Sequence, residues 1–461
     1  MTAIADTNTK FDLSDSIRLL NDKIGSVNSA AKSKFRVNRI SLDLKHGLSP
    51  IDWLRSSAAD SKVYWSDRTG EFEMAGVGET SLLSADSYND VERIISETVS
   101  LVKESAEGVR VYGGIRFPSS GGNGLSADWA SFKSCRFVVP RFELVKDNKQ
   151  TKLVCNLTEA DLRNPGDIIN ELEQYFQNDD ADNSFDGKIA SRIDQPAFDG
   201  WESTIGSIIK DFSKGKIEKI VLARQTTLKF KEDCDAPALL KRLSAATSRC
   251  YHFYFQPHKG NVFLGASPEQ LYSRYNRKIT SEALAGTKPR GQNAESDRRF
   301  SQELLKSEKE LREHKYVVDN IKAALTALCE SYSVKKEASL LKLAQVQHLQ
   351  TEFKGKLRLG ITDCAIIKAL HPTSAVGGFP SQAAQNRIAE CEPFDRGWYS
   401  GVVGWIGHNS AEMAVAIRSG LVKGKELKLH SGAGIVKGST AEAEWAEIES
   451  KIGGFISAVT G

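Results

Sequence analysis

Two glutamates three residues apart lie in line with the apolar face of a long predicted helix. Apolar residues recur at helical spacing through residues 296–328, with Val317 and Ile321 among them. Counting back from this face by three and four residues leads to Glu313 and Glu310. Both carboxylates are therefore predicted on the side of the helix that faces the core.

A second helix, predicted over residues 440–459, repeats this arrangement. Its apolar face includes Ile452 and extends back through Lys451 to Glu447 and Glu444. A single pair of this kind is most simply a pair of solvated charges at a helix end, because carboxylates are seldom buried unpaired. Two inward pairs leave this interpretation open beside a second one, a buried site that holds a cation between the carboxylates. Oxygen ligands suit a hard divalent ion, typically magnesium that keeps several waters.

Three further features could take part in chemistry, and each also has a structural interpretation. Lys219 lies in an apolar strand predicted over residues 217–222, either as an outward, solvated side chain or as a desolvated base. Glu269 follows a Ser-Pro pair and by itself is a turn or cap carboxylate. The stretch from Gly432 to Gly434 is either a tight turn or a set of backbone N–H groups that receives a carboxylate.

The elements that position these groups are mostly strands in the first half of the chain and alternating helices and strands in the second. A polar turn at residues 67–70 separates two extended runs and predicts a hairpin. A helix is predicted over residues 90–103, and extended runs cover residues 135–145 and 151–157. A further helix is predicted over residues 201–212. The predicted fold class is α+β, with large antiparallel or mixed sheets covered by outer helices.

The chain has 461 residues, whereas single cores seldom grow beyond roughly 250–300 residues. We therefore expect an N-terminal α+β part, residues 1–190, that completes the fold, and a second part, residues 191–461. The Asp- and Asn-rich residues 178–184 are the candidate linker.

Composition excludes several classes of protein. Basic and acidic residues number 62 and 59, are interspersed, and leave a net charge of +3, which argues against a nucleic-acid groove. The seven cysteines are far apart, as expected for reduced thiols. Residues 1–10 lack the apolar core of a signal peptide, and no apolar run approaches the ~20 residues of a membrane span. We expect a cytoplasmic monomer or homodimer that binds a small molecule and neither nucleic acid nor a membrane.

Segments of this sequence, in their order along the chain, resemble the chorismate-utilising enzymes, which comprise isochorismate, salicylate, anthranilate and aminodeoxychorismate synthases. The resemblance covers about residues 196–456 and extends less specifically to residues 112–117. The matching segments are residues 219–224, 267–269, 282–287, 309–314, 348–349, 370–378, 395–401, 416–420, 432–436 and 444–447, followed by Lys451.

The resemblance implies that family's fold, with the active site in a cleft between the sheets and with residues 191–461 as the catalytic part. It implies that Glu313 and Glu447 hold magnesium directly and that Glu310 and Glu444 lie in its water shell. The ion would meet the ring carboxylate of chorismate. The residues implied to bind the substrate are Gly286, Thr287, His371, Tyr399, Arg418, Gly432 and Lys451.

Within the family, three positions resemble the isochorismate synthases. His371 stands before a proline where the anthranilate and salicylate branches usually carry Phe, and Ala375 stands where those branches carry Thr. Lys219 occupies the place of a lysine in the branches that use water as the nucleophile. Ser374 departs from the usual proline, which we expect to affect loop rigidity more than chemistry. The resemblance favours a role in menaquinone or phylloquinone synthesis over a siderophore pathway.

The implied reaction is an isomerisation that moves a hydroxyl from C4 to C2 of the ring. Water must attack C2 while the C4 hydroxyl leaves, which needs a base and an acid. We assign Lys219 as the base and Glu269 as the acid, so the first must be neutral and the second protonated. Magnesium on the C1 carboxylate would stabilise the developing charge. Two other hypotheses stay open, a salicylate synthase that eliminates pyruvate and a non-catalytic chorismate-binding module.

Overall fold

The structure is a computed structural model that describes residues 14–28, 35–44, 48–118, 125–148, 150–176 and 185–460. The candidate linker at 178–184 lies outside the described residues. The helices are α1 Ser14–Asn28, α2 Pro50–Ser56, α3 Val91–Lys103, α4 Glu159–Arg163, α5 Pro165–Phe176, α6 Phe198–Ser213, α7 Ala236–Ala246, α8 Ala294–Lys306, α9 Glu308–Leu328, α10 Asp363–Leu370, α11 Ser381–Cys391 and α12 Ala441–Thr460, with a short 3₁₀ helix at Tyr88–Asp90.

The strands form two large sheets. They are β1 Asn38–Leu44, β2 Lys62–Ser66, β3 Phe72–Val77, β4 Ser81–Ala85, β5 Arg110–Ile115, β6 Cys135–Val139, β7 Phe142–Asp147, β8 Gln150–Leu157, β9 Ile189–Gln195, β10 Lys219–Phe230, β11 Tyr251–His258, β12 Asn261–Ser267, β13 Gln270–Tyr275, β14 Lys278–Pro289, β15 Cys329–Lys342, β16 Val346–Leu357, β17 Gly378–Phe379, β18 Val402–Gly407, β19 Ser410–Val415, β20 Ser419–Lys423 and β21 Glu426–Val436.

The first sheet has twelve strands in the order β1-β8-β7-β3-β2-β11-β12-β20-β21-β10-β17, with β9 paired to β10. The second has nine strands in the order β15-β16-β14-β13-β19-β18-β5-β6-β4. Neighbouring strands run antiparallel. Strands from before and after residue 190 enter both sheets, so the N-terminal part completes both sheets. A division of the chain at that residue stays a prediction.

An aromatic core lies between the two sheets. It joins Trp65 and Phe263 of the twelve-stranded sheet to Val403 and Ala414 of the nine-stranded sheet, with Trp398 beside them, and all five are fully buried. Burying one large apolar side chain stabilises the fold by roughly 1.5–3 kcal/mol, so this cluster holds the sheets face to face.

Helices cover the outer faces of the sheets. Val317 and Ile321 of α9 pack in the same core as strands of the nine-stranded sheet. Ile448 and Ile452 of α12 pack in the same core as strands of the twelve-stranded sheet. The apolar faces predicted for both glutamate-bearing helices are therefore confirmed, and each helix sits on a different sheet.

The prediction of one long helix over residues 296–328 is wrong in one respect, because this segment forms two helices, α8 and α9. Ser307 between them is extended, with φ −72° and ψ 111°. Its Oγ accepts the Glu310 N–H (3.4 Å) and caps the start of α9. Glu310 and Glu313 thus lie in the first two turns of a separate helix.

The hairpin around residues 67–70 is confirmed, since β2 pairs with β3 and the Asp67 carboxylate accepts N–H groups of the turn. The extended run at 135–145 is instead two strands, β6 and β7, which enter different sheets. All seven cysteines are free. Among the described residues, no helix is long and apolar enough to span a bilayer.

Candidate active site

A cleft of about 640 Å³ opens where the two sheets and the two glutamate-bearing helices meet. Strands β10 and β21 form one side, β14 and β16 form the other, and α9 and α12 contribute side chains. The lining residues are Val221, Pro268, Glu269, Leu284, Ala285, Gly286, Thr287, Glu313, His348, Ala375, Val376, Tyr399, Ile417, Arg418, Ser431, Gly432, Gly434, Glu447 and Lys451.

Most residues that the sequence predicted for the site line this cleft. They are Glu269, Gly286, Thr287, Glu313, Tyr399, Arg418, Gly432, Glu447 and Lys451. Lys219, Glu310 and Glu444 lie behind the lining, each in contact with a charged or polar neighbour. His371 lines a different cavity.

Lys219 begins β10, a strand that is buried almost throughout. Its side chain is 0% exposed, and its Nζ lies 3.1 Å from Glu313 Oε1. Within the described chain this nitrogen meets no acceptor in hydrogen-bonding geometry. The contact with Glu313 fixes this nitrogen beside the cleft. The interpretation of Lys219 as an outward, solvated side chain is wrong, and its role as a base stays a prediction.

Glu269 lies in the loop between β12 and β13 and is buried. Its N–H donates to Ser267 Oγ (3.2 Å) and its carbonyl accepts the Val415 N–H (3.1 Å), which fixes the loop. Burial and the neighbouring Glu282 carboxylate raise the pKa of Glu269 to about 8, against the opposite effect of nearby lysines. The carboxyl is therefore protonated at neutral pH, the state that a general acid needs.

A β-bulge positions Glu310. The register of β14 and β16 shifts between Ala285 and Thr287, and Gly286 in the bulge has φ +80°, which glycine adopts without strain. The bulge directs the Thr287 N–H to Glu310 Oε2 (3.0 Å). Burial and the neighbouring Glu313 raise the pKa of Glu310 to about 7. The predicted pair of carboxylates on α9 is thus close enough for mutual repulsion.

The pair on α12 is also held by lysines. Glu444 is 1% exposed, and Lys309 Nζ lies 2.6 Å from its Oε1. Burial and the neighbouring Glu447 raise the pKa of Glu444. Lys451 Nζ lies 2.6 Å from Glu447 Oε1 and donates to the Gly432 carbonyl (2.8 Å). Among the described residues, no group of three or more His, Cys, Asp or Glu side chains is arranged as a metal site.

Cationic and aromatic groups line the other part of the cleft. Arg418 has φ +52° and donates from Nη1 to the Lys451 carbonyl (3.3 Å). Tyr399 stacks on His430 with ring centroids 5.2 Å apart. Gly432 lies within β21 and pairs with Ala223, so the alternative of a tight turn after a strand is wrong. The guanidinium of Arg418 and the ammonium of Lys451 suit a ligand that carries carboxylates.

Comparison with known proteins identifies the family. A family model described as chorismate binding enzyme matches residues 24–460. The chain belongs to this family. It is 31% identical over 425 residues to isochorismate synthase MenF of Haemophilus influenzae, covering 92% of this chain and 91% of that protein. It is 31% identical over 412 residues to the chloroplastic isochorismate synthase of Catharanthus roseus, covering 85% of this chain and 69% of that protein.

The fold of this chorismate-binding enzyme is also that of a solved relative. The structure of MenF, the menaquinone-specific isochorismate synthase from Escherichia coli, matches with a TM-score of 0.82 at 26% identity. The match covers 97% of this chain and 100% of that chain. The predicted family and fold class are confirmed.

His371 does not contact the cleft of this chorismate-binding enzyme, contrary to its predicted place in the substrate pocket. Its N–H closes the last turn of α10 on the Ile367 carbonyl (2.8 Å), and its Nε2 lies 3.0 Å from the Ser400 carbonyl oxygen. Burial lowers the pKa of His371 to about 4, so the neutral ring donates this bond. The imidazole lies in a cavity with Tyr88, behind the loop whose Ala375 does line the cleft.

His348 is a cleft residue to which the sequence assigned no role. Its Nδ1 lies 2.9 Å from Thr287 Oγ1, and its Nε2 has no hydrogen-bond partner among the described residues. Burial and the neighbouring Arg418 lower its pKa far below the usual value, so the ring is neutral. Because His348 and Gln347 are neighbours in β16, their side chains point to opposite faces of the sheet. Which of these faces meets the cleft depends on a strand pairing that the sequence does not display.

Gly434 leaves the space that Glu313 occupies. A Cβ at this position would lie 2.2 Å from Glu313 Oε1, so Gly434→Ala must push that carboxylate away from β21. We expect the affinity for a divalent cation to fall about tenfold with little change in folding, since the end of a flexible side chain can move. Isothermal titration with Mg²⁺ measures the affinity, and thermal unfolding measures the stability.

The matched control for Gly434→Ala is Gly453→Ala in α12, where an added Cβ meets nothing within 4 Å. This variant is expected to bind the cation like the wild type and to gain roughly 0.5–1 kcal/mol of helix stability. Equal cation affinity in both variants would show that Gly434 has no part in placing Glu313.

Proposed function

We propose that this chain is an isochorismate synthase, an isomerase that converts chorismate to isochorismate. The observation that supports this most strongly is Glu269, a buried carboxyl that is protonated at neutral pH and lines the cleft. Binding alone needs no such group, because carboxylates of a ligand are held by cations and N–H donors. The relatives that align along most of the chain carry the same name.

The proposed reaction exchanges one hydroxyl for another. Lys219 accepts a proton from the water that attacks C2, the ring double bonds shift, and Glu269 donates its proton to the departing C4 hydroxyl. One water enters and one leaves, so the product is an isomer of the substrate. Arg418 and Lys451 would hold the two carboxylates, with Tyr399, Gly286, Thr287 and Gly432 shaping the pocket around the ring.

The carboxylate oxygens of the four glutamates suit a divalent cation, specifically magnesium, once the lysines that contact three of them give way. Burial raises the pKa values of Glu310 and Glu444, and repulsion by the neighbouring Glu313 and Glu447, respectively, adds to this effect. Glu444 Oε2 is also buried without a hydrogen-bond partner among the described residues. Carboxylates in this condition are stabilised by a hard dication. Glu313 and Glu447 would hold it directly, and Glu310 and Glu444 through water. When bound, magnesium would polarise the ring carboxylate.

The pathway we propose is that of menaquinone or phylloquinone. Relatives that support it are the menaquinone-specific enzyme from Escherichia coli, which matches nearly the whole chain, and the chloroplastic enzyme of Catharanthus roseus. A cytoplasmic location and a monomeric or homodimeric state stay predictions.

Product analysis tests the proposed function. Incubation of the purified chain with chorismate and Mg²⁺, followed by chromatography, is expected to give isochorismate, and a chelator is expected to stop the reaction. Salicylate and pyruvate as main products would instead make the protein a lyase. Binding of chorismate without turnover under the same conditions would make it a binding module.

A further inference from the structure

Lys309 connects the two helices that carry the glutamate pairs. It precedes Glu310 in the first turn of α9, and its Nζ reaches Glu444 Oε1 on α12 at 2.6 Å. The same Nζ lies 3.8 Å from Glu310 Oε1. One ammonium group thus lies between a carboxylate of each predicted pair.

Three lysines each contact a different glutamate of the proposed cation site. Lys219 contacts Glu313 and Lys451 contacts Glu447, and both of these lysines have a place in the proposed reaction or in substrate binding. Lys309 has neither, since the two carboxylates that it contacts, Glu310 and Glu444, lie outside the lining of the cleft. Its contact with Glu444 therefore calls for a different explanation.

The surroundings of Lys309 allow it to leave this contact. Its side chain is 30% exposed, whereas Glu444 is 1% exposed. A lysine carries a compact charge on a flexible stem, so its ammonium can move into solvent without a change in the backbone. Glu444 cannot follow it into solvent, because its carboxylate is enclosed. Its Oε2 is buried and has no hydrogen-bond partner among the described residues. A cation that enters the site meets a carboxylate that stays in place.

We propose that Lys309 is an internal counter-cation that neutralises Glu444 when the cation site is empty and competes with the divalent ion for that carboxylate. Lys309 holds α9 and α12 together in the metal-free protein and raises the ion concentration that is needed to fill the site. This inference rests on the cation site of the proposed function. The physical reason is that like charges repel, so an ammonium beside a carboxylate opposes a dication there.

The test is Lys309→Met, which keeps the length of the side chain and removes its charge. Titration of the substrate-free protein with Mn²⁺, a spectroscopic substitute for Mg²⁺, is expected to show binding about tenfold tighter than in the wild type. The melting temperature of the metal-free variant is expected to fall and to recover when Mn²⁺ is added. Lys309→Arg, which keeps the charge, is expected to bind Mn²⁺ like the wild type.

The matched control is Lys315→Met on the same helix, where the side chain is 71% exposed and pairs only with Asp319 within the described chain. This variant is expected to leave Mn²⁺ affinity unchanged. If Lys309→Met does not fold, as judged by circular dichroism, Lys309→Gln is measured in its place. Unchanged or weaker binding in the neutral variants overturns the role of Lys309 but leaves the cation site. Absence of Mn²⁺ binding in the wild type overturns both.

Discussion

Glu269→Gln is expected to lower kcat by roughly 10²–10⁴-fold, the range that a positioned general acid contributes. Because burial keeps Glu269 protonated and uncharged at neutral pH, glutamine preserves its volume and its charge state. Chorismate binding should therefore stay close to that of the wild type. Steady-state kinetics gives the loss of turnover, and calorimetric titration gives the binding.

The pH dependence of the reaction tests the same group. A pKa of about 8 means that Glu269 holds its proton below pH 8 and loses it above. The acid is available only while protonated, so kcat/KM of the wild type is expected to fall above pH 8. The residual activity of Glu269→Gln should lack this fall, because glutamine does not titrate.

The control for Glu269→Gln is Glu412→Gln. Burial also raises the pKa of Glu412, which accepts the Trp65 Nε1–H (3.4 Å) and does not line the cleft. This variant is expected to keep kcat, whatever stability it loses. Wild-type turnover in Glu269→Gln would remove this residue from the proposed mechanism.

Lys219→Met is expected to reduce turnover at least about 10³-fold, because it removes the group that accepts the proton of the attacking water. The substitution also leaves Glu313, a 12% exposed carboxylate, without its lysine. Breaking a buried ion pair from one side is destabilising, so the melting temperature of the metal-free variant should fall. Added Mg²⁺ should restore it, since the freed carboxylate gains a cation. Single-turnover kinetics and thermal unfolding with and without Mg²⁺ measure the two effects.

Lys62→Met is the matched control for the loss of a buried lysine. Lys62 lies in β2, and its Nζ donates to the carbonyls of Leu54 and Ser57. This variant is expected to lose stability and to keep kcat. Full activity in Lys219→Met would contradict the assignment of the base.

The glutamate pairs show what a sequence reveals about such a site. Helical periodicity is local, so the inward positions of Glu310 and Glu444 were predictable from the apolar residues that follow them. The break at Ser307 was missed, because the apolar spacing continues across it, although Ser307 followed three residues later by Glu310 is typical of a helix start. The break nevertheless decides that Glu310 lies in a first turn.

Contacts between segments that are far apart in the chain could not be predicted from the sequence. His348 faces the cleft because β16 pairs with β14 in one register, and a shift by one residue would have placed Gln347 there. The family resemblance implied that His371 lies in the pocket, but the end of α10 directs it to Ser400. Lys309 was recognised only as part of a motif, and its partner Glu444 lies 135 residues away.

Running the reaction in water enriched in ¹⁸O shows whether a water oxygen enters at C2 while the C4 hydroxyl leaves. Isochorismate is isolated at low conversion and analysed by mass spectrometry with fragmentation that distinguishes the C2 hydroxyl. The expected product carries one ¹⁸O atom at C2, and the unreacted chorismate carries none. Isochorismate without ¹⁸O would show that the original hydroxyl migrates, and it would contradict the roles given to Lys219 and Glu269.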